Sequence, residues 1–123
     1  MMKRIFLIVL CIIFSSCDYY YSYEYIVQND SSSQITVELF AQYHPILDTV
    51  YRIESNQSLQ IYETIHGNEG AGGPFFDDVS KDLTRLVIKK NDTLISNRDF
   101  IQNSNWLFTE GMYLTIITDI EFE

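Results

Sequence analysis

Gln34-Ile35-Thr36-Val37-Glu38-Leu39 alternates polar and apolar side chains at every position. Successive side chains of an extended backbone point to opposite faces, so this alternation gives one wet face and one buried face. The stretch reads as a half-buried β-strand carrying Ile35, Val37 and Leu39 on its apolar side. Working outward, Asn29 to Ser33 (NDSSS) is a turn built from residues that bond their own backbone, and Tyr23, Tyr25 and Val27 before it share one face of another strand. On the other side, Thr49, Tyr51 and Ile53 make a third strand, Glu54 to Gln57 a turn, and Leu59 and Ile61 the start of a fourth. No stretch of comparable length puts apolar residues at helical spacing.

The same reading continues to the C-terminus. Leu83 to Lys89 is apolar on both sides, with Leu86 and Ile88 on one face and Leu83 and Val87 on the other, as expected of a central strand. Asn91-Asp92 turns into a short strand at Thr93 to Ile95. Asn97 to Asn103 is expected to form one helical turn capped by Asn97, with Phe100 and Ile101 inward. Trp106 and Phe108 share a face of a seventh strand, Glu110-Gly111 makes a hairpin, and Leu114 and Ile116 alternate with Tyr113, Thr115 and Ile117 in the last. The expected fold is an all-β, immunoglobulin-like antiparallel β-sandwich of about seven or eight strands.

The first 17 residues, MMKRIFLIVLCIIFSSC, follow a different logic. Lys3 and Arg4 form a basic head, and Ile5 to Phe14 is an apolar run of ten residues. That is signal-peptide length and about half of the roughly 20 residues a spanning helix needs. Ser15 and Ser16 are the small residues a peptidase accepts, and Cys17 follows directly. This order predicts a signal at 1–16, lipidation of Cys17, a tether at 17–22 and the sandwich at 23–123. An ordinary secretory signal cut near Ser16 is the alternative. Cys11 leaves with the signal and Cys17 is spent on lipid, so the mature domain has no thiol for a disulfide, nucleophile or metal.

Loss of Lys3 and Arg4 leaves six cations against 17 acidic residues, a net charge of −11. That argues against nucleic acid, whose phosphates are met by Lys and Arg, and against electrostatic attraction to anionic lipid. The expected membrane contact is therefore the lipid on Cys17, two or three acyl chains exceeding the single chain that holds only marginally, with the domain floating above the bilayer. Tyr19, Tyr20 and Tyr21 suit the headgroup level, stacking on a sugar, or an extended lead into the first strand, the last preferred because strands favour aromatics.

His66 to Ser80 (HGNEGAGGPFFDDVS) holds four of the five glycines and Pro74. A phosphate cradle would need a Gly-Lys-Ser/Thr end, and the loop carries no cation. A calcium site would use Glu69, Asp77, Asp78 and Asp82, but the spacing fits no EF-hand loop. The loop is expected to be a sandwich connection in which Phe75 and Phe76 cap the open end of the core. Its functional alternative is a binding loop carried by His66, Glu69, Asp77 and Asp78. Catalysis would fall to His44 or His66, neither near a nucleophile motif, and two histidines are short of a hydrolytic zinc set. No catalytic residue, metal or cofactor is expected. Carboxylate-pair glycoside hydrolysis is not decided by spacing, since the pair need only meet in space.

Phe14-Ser15-Ser16-Cys17 resembles the lipobox of bacterial lipoproteins. Together with Tyr-Glu-Tyr-Ile-Val-Gln-Asn at 23–29, the Gly-Ala-Gly-Gly-Pro-Phe-Phe loop at 70–76, Asn105-Trp106 and the closing Ile-Thr-Asp-Ile-Glu-Phe, it makes the chain resemble small lipid-anchored lipoproteins of gut Bacteroidetes. The resemblance implies a lipid-anchored β-sandwich and carries no activity with it. It also implies O-glycosylation at Asp-Ser/Thr-apolar sequences, which Asp48-Thr49-Val50 and Asp92-Thr93-Leu94 match. Surface export of such lipoproteins follows an acidic run after the lipid cysteine. Here Asp18 is followed by tyrosines, so the expected place is the outer membrane facing the periplasm, with surface exposure as the alternative. The expected role is non-enzymatic, presenting loops to another envelope component, a protein or a glycan. The rival is a glycan-binding module using Tyr43, Tyr62 or Trp106, although Trp106 is expected in the core.

Overall fold

The computed structural model describes residues 19–42, 44–68 and 71–123, the side chains of 44–48 and 68 excepted. The signal, Cys17, Tyr43 and Glu69 lie outside the described residues, as do the side chains of His44 and Asp48. The described residues form eight strands, β1 (Tyr19–Asn29), β2 (Ile35–Ala41), β3 (His44–Ile53), β4 (Gln57–Asn68), β5 (Leu83–Lys90), β6 (Leu94–Ile95), β7 (Leu107–Thr109) and β8 (Met112–Ile117). They form two four-stranded sheets ordered β4-β1-β8-β7 and β3-β2-β5-β6, packed as a β-sandwich. The described residues contain three short 3-10 turns and no α-helix.

The alternation in β2 is honoured: Ile35, Val37 and Leu39 are buried between the sheets. Opposite them, Tyr23, Tyr25 and Val27 of β1 and Tyr113 and Ile117 of β8 fill the other half of the core. Tyr25 stacks on Tyr113 at 4.6 Å and meets the edge of Trp106 at 5.3 Å. Trp106 is buried and its indole nitrogen donates to the Phe100 carbonyl at 2.8 Å. Each fully buried aliphatic side chain contributes about 1.5–3 kcal/mol relative to exposure. Cysteine occurs only at positions 11 and 17, so the core carries this stability without a disulfide.

The NDSSS turn is anchored from inside. The side chain of Asn29 is fully buried, donates to the carbonyls of Ser33 and Ile53, and accepts from the Ser31 amide and hydroxyl. With its hydrogen-bonding capacity used, burial of this amide costs little.

Four details differ from the expectations. Strand β1 begins at Tyr19, so the tyrosines are extended as expected, but Tyr19 to Ser22 belong to the sheet and not to a tether, paired with residues 65–68 of β4. The β1–β8 pair is parallel, because the chain returns to the same end of the sheet after building the rest of the domain. Leu83 joins Leu86 and Ile88 in the core while Val87 lies outside that cluster. The cause is a bulge where partners jump from Phe40–Arg85 to Ala41–Leu83, which adds one residue to β5 and turns Leu83 inward. Asn97 to Asn103 is irregular, and the helical turn is the 3-10 segment at Asn103–Asn105. Asp99, not Asn97, bonds its own chain there, accepting from the Ile101 amide. Phe100 is nevertheless buried, and Ile101 packs against the core.

Candidate functional site

Strand β1 outruns its neighbour. Pairing with β8 starts only at Glu24, so Tyr19 to Tyr23 form a two-stranded ribbon with Thr64 to Asn68 of β4. The glycine loop is held against this ribbon and the start of β8 by three tyrosine hydroxyls. Tyr21 accepts from the Gly73 amide at 3.2 Å, Tyr23 donates to the Phe75 carbonyl at 2.8 Å, and Tyr113 donates to the Asp77 carbonyl at 2.6 Å. The bonded loop residues are every second one, as expected of an extended segment. A Cβ at Gly73 would lie 2.7 Å from the Tyr21 ring, so any larger residue there would push that ring aside. The Gly73–Pro74 peptide is cis.

Below the loop lies a charged cluster. His66, near the end of β4, places Nε2 2.5 Å from Asp82 Oδ1 and Nδ1 3.1 Å from Asp77 Oδ2. The second approach is off the line of the N–H and leaves Nδ1 without a hydrogen bond. Asp82 is fully buried immediately before β5, and its other oxygen accepts from the Tyr25 hydroxyl. The His66 ring also lies 4.6 Å from that of Tyr23. Burial first, then the neighbouring Asp82 carboxylate, pushes the Tyr25 hydroxyl well above its ordinary value, and burial does the same to Tyr113. Partial burial of Asp77 works to raise its carboxyl, but the bond from Lys81, the Asp78 amide and nearby His66 outweigh it and hold it low. Lys81 Nζ is 2.8 Å from Asp77 Oδ1.

Of the residues expected in a binding loop, His66 and Asp77 are brought together. Asp78 is exposed and caps the 3-10 turn Val79–Lys81 by accepting from the Ser80 amide and hydroxyl. Asp82, weighed only as a calcium ligand, is the buried centre of the cluster. Tyr25 and Tyr113 are legible as strand residues, but not as donors to the Asp82 side chain and to the Asp77 carbonyl respectively. The described residues hold no group of three or more His, Cys, Asp or Glu arranged for a metal ion. Phe75 and Phe76 close over the core end, against Tyr21 and against Phe108 and Tyr113, with about half of each ring exposed.

No protein-family model, curated protein or solved structure matches the chain. Chemistry must therefore be read from the site itself. Asp82 has no exposed surface, and its two oxygens meet His66 Nε2 and the Tyr25 hydroxyl, so the cluster ties β1 and β4 to the residue before β5, with Asp77 of the loop beside it. A concavity of about 270 Å³ lies between β5 and the segment after β6, lined by Val87, Ile95, Phe100, Ile101, Arg85 and Arg98. One terminal nitrogen of Arg98 donates to Glu121 at 2.5 Å and to the Ile116 carbonyl at 2.7 Å, joining the C-terminal turn to β8, while its Nε is buried without a hydrogen bond.

Trp106, offered to a sugar by the rival reading, is inside the core. Tyr62 is half-buried with its ring 5.9 Å from that of Tyr25. The two threonines in Asp-Thr-apolar sequences differ. Thr93 is exposed in the turn before β6, whereas Thr49 lies within β3, opposite Leu39, and is half-buried.

Proposed function

We propose that the chain is a lipid-anchored, non-enzymatic lipoprotein of the cell envelope whose β-sandwich engages another envelope component. The observation that carries this reading is the order of residues 3–17: a basic head, ten apolar residues, two serines and a cysteine, with the first strand starting two positions later. A segment of that length addresses a chain for export and is too short to span. The His66 cluster is consistent with the non-enzymatic half, since Asp82 is buried and both its oxygens are taken by His66 and Tyr25. The net charge of −11 left after signal removal supports a partner other than nucleic acid or an anionic surface. Asp18 followed by tyrosines favours the periplasmic face of the outer membrane.

Metabolic labelling with a palmitate analogue, followed by fractionation, tests the anchor. The wild type is expected to be labelled and retained with membranes, and Cys17→Ala to be unlabelled and released. Label that persists on Cys17→Ala overturns the reading. Crosslinking of the lipidated protein in its own membrane identifies the partner. A glycan array read alongside Trp106 fluorescence is expected to show no sugar response.

A further inference from the structure

We infer that the aromatic end of the sandwich is seated in the headgroup layer of the membrane that holds Cys17, so that the domain stands on the bilayer in a fixed orientation. This rests on the anchoring reading above. Cys17 is two residues from Tyr19, the first residue of β1, and two residues span at most about 7 Å. A lipid on Cys17 therefore brings the bilayer surface to the tip of the β1–β4 ribbon, with no length for the domain to float.

The side chains at that tip suit the contact. Tyr19 is 47% exposed, Tyr20 72%, Phe75 45% and Phe76 50%, and Ile65 adds an exposed aliphatic group on the ribbon. Aromatic rings with one wet and one apolar side concentrate at the level where headgroups meet acyl chains. The loop that carries Phe75 and Phe76 is fixed beside the ribbon by the hydroxyls of Tyr21, Tyr23 and Tyr113, so these rings are presented without an ordering cost at contact. Charge does not supply the attraction, because Asp77, Asp78 and Glu110 lie at the same end with Lys81 as the nearby cation. The occupant that fits is the uncharged or zwitterionic interfacial layer. Seating sends the glycine loop toward the membrane and leaves the turns at 30–34, 54–56 and 91–93 facing away, toward a partner.

Nitroxide labelling tests this, because lipidation leaves the mature chain without another thiol. The lipidated chain carrying Ala71→Cys, in the loop, or Gln57→Cys, at the far end of β4, is reconstituted in phosphatidylcholine vesicles, and label accessibility to an aqueous nickel reagent is measured. The expected result is several-fold lower accessibility at 71 than at 57. Tyr20→Ser/Phe75→Ser/Phe76→Ser in the Ala71→Cys background is expected to abolish that difference while the chain still sediments with vesicles. Equal accessibility at 71 and 57 in an acylated, vesicle-bound chain overturns the seating and leaves the anchor standing. A chain found unacylated and soluble overturns both. If the triple variant loses its β circular dichroism, the comparison of 71 with 57 decides alone.

Discussion

His66 Nε2 lies 2.5 Å from Asp82 Oδ1, joining the end of β4 to the residue immediately before β5. Asp82 is fully buried, so this contact decides whether a carboxylate inside the protein is adequately partnered. His66→Ala leaves it with the Tyr25 hydroxyl as its side-chain donor. Leaving a buried polar group without one of its hydrogen-bond partners costs about 1–3 kcal/mol, and the variant is expected to unfold at correspondingly lower urea. A midpoint equal to that of the wild type would show that the pair contributes nothing.

The tyrosines predict an alkaline limit. Burial raises the folded-state values of Tyr25 and Tyr113 above the ordinary 10.0, so the folded chain keeps protons that the unfolded chain releases. The associated stability is complete below pH 10 and is lost as pH rises further. Tyr25→Phe is expected to be less stable at neutral pH, having lost its bond to Asp82, and to show a shallower decline between pH 9 and 11. Parallel denaturation curves across that range would contradict this.

Asp77 sets the acid side with the opposite sign. Its folded-state value lies below the ordinary 3.8, because Lys81, the Asp78 amide and His66 together outweigh partial burial. Its contribution is present above pH 3.8 and fades as pH falls through the lower folded value. Asp77→Asn is expected to flatten this part of the acid unfolding profile, read by tyrosine and tryptophan fluorescence.

Gly111 has φ +84, and a Cβ there would sit 2.8 Å from the Ser22 carbonyl oxygen. Both strain and contact oppose a side chain in the β7–β8 hairpin. Gly111→Ala is expected to cost about 1–3 kcal/mol, measured by thermal unfolding. An unchanged Tm would mean that the hairpin shifts away from Ser22 freely.

Among the Asp-Thr-apolar sequences, only Thr93 offers an exposed threonine in a turn. Modification in the native host is therefore expected at Thr93 and not at Thr49. Intact mass of Thr93→Ala should drop by the glycan as well as the substitution, and that of Thr49→Ala by the substitution alone. A glycan that stays on Thr93→Ala and leaves with Thr49→Ala would reverse the assignment.

Much of the fold was legible because one buried face imposes period two on a strand. Ile35, Val37 and Leu39 could be assigned inward from spacing alone, as could Tyr23, Tyr25 and Val27. Trp106 was legible as core from size and the lack of a disulfide. The same rule misplaced Leu83, since one extra residue in β5 reverses every side chain beyond it and leaves no mark in a list of apolar positions. At the candidate site, His66 and Asp77 stood out in the glycine loop. Asp82 did not, because its meaning comes from Tyr25 and His66, residues 57 and 16 positions away.

The sequence by itself determined the all-β class, most strand positions, the acidic balance and the expectation of a lipid on Cys17, because each follows from local spacing or from counting. Tertiary structure alone decided the parallel β1–β8 pair, the inward turn of Leu83, the burial of Asp82 and the gathering of Tyr19, Tyr20, Phe75 and Phe76 at one end. Those depend on which distant segments meet, and pairing between strands far apart in the chain is written in no single stretch of it.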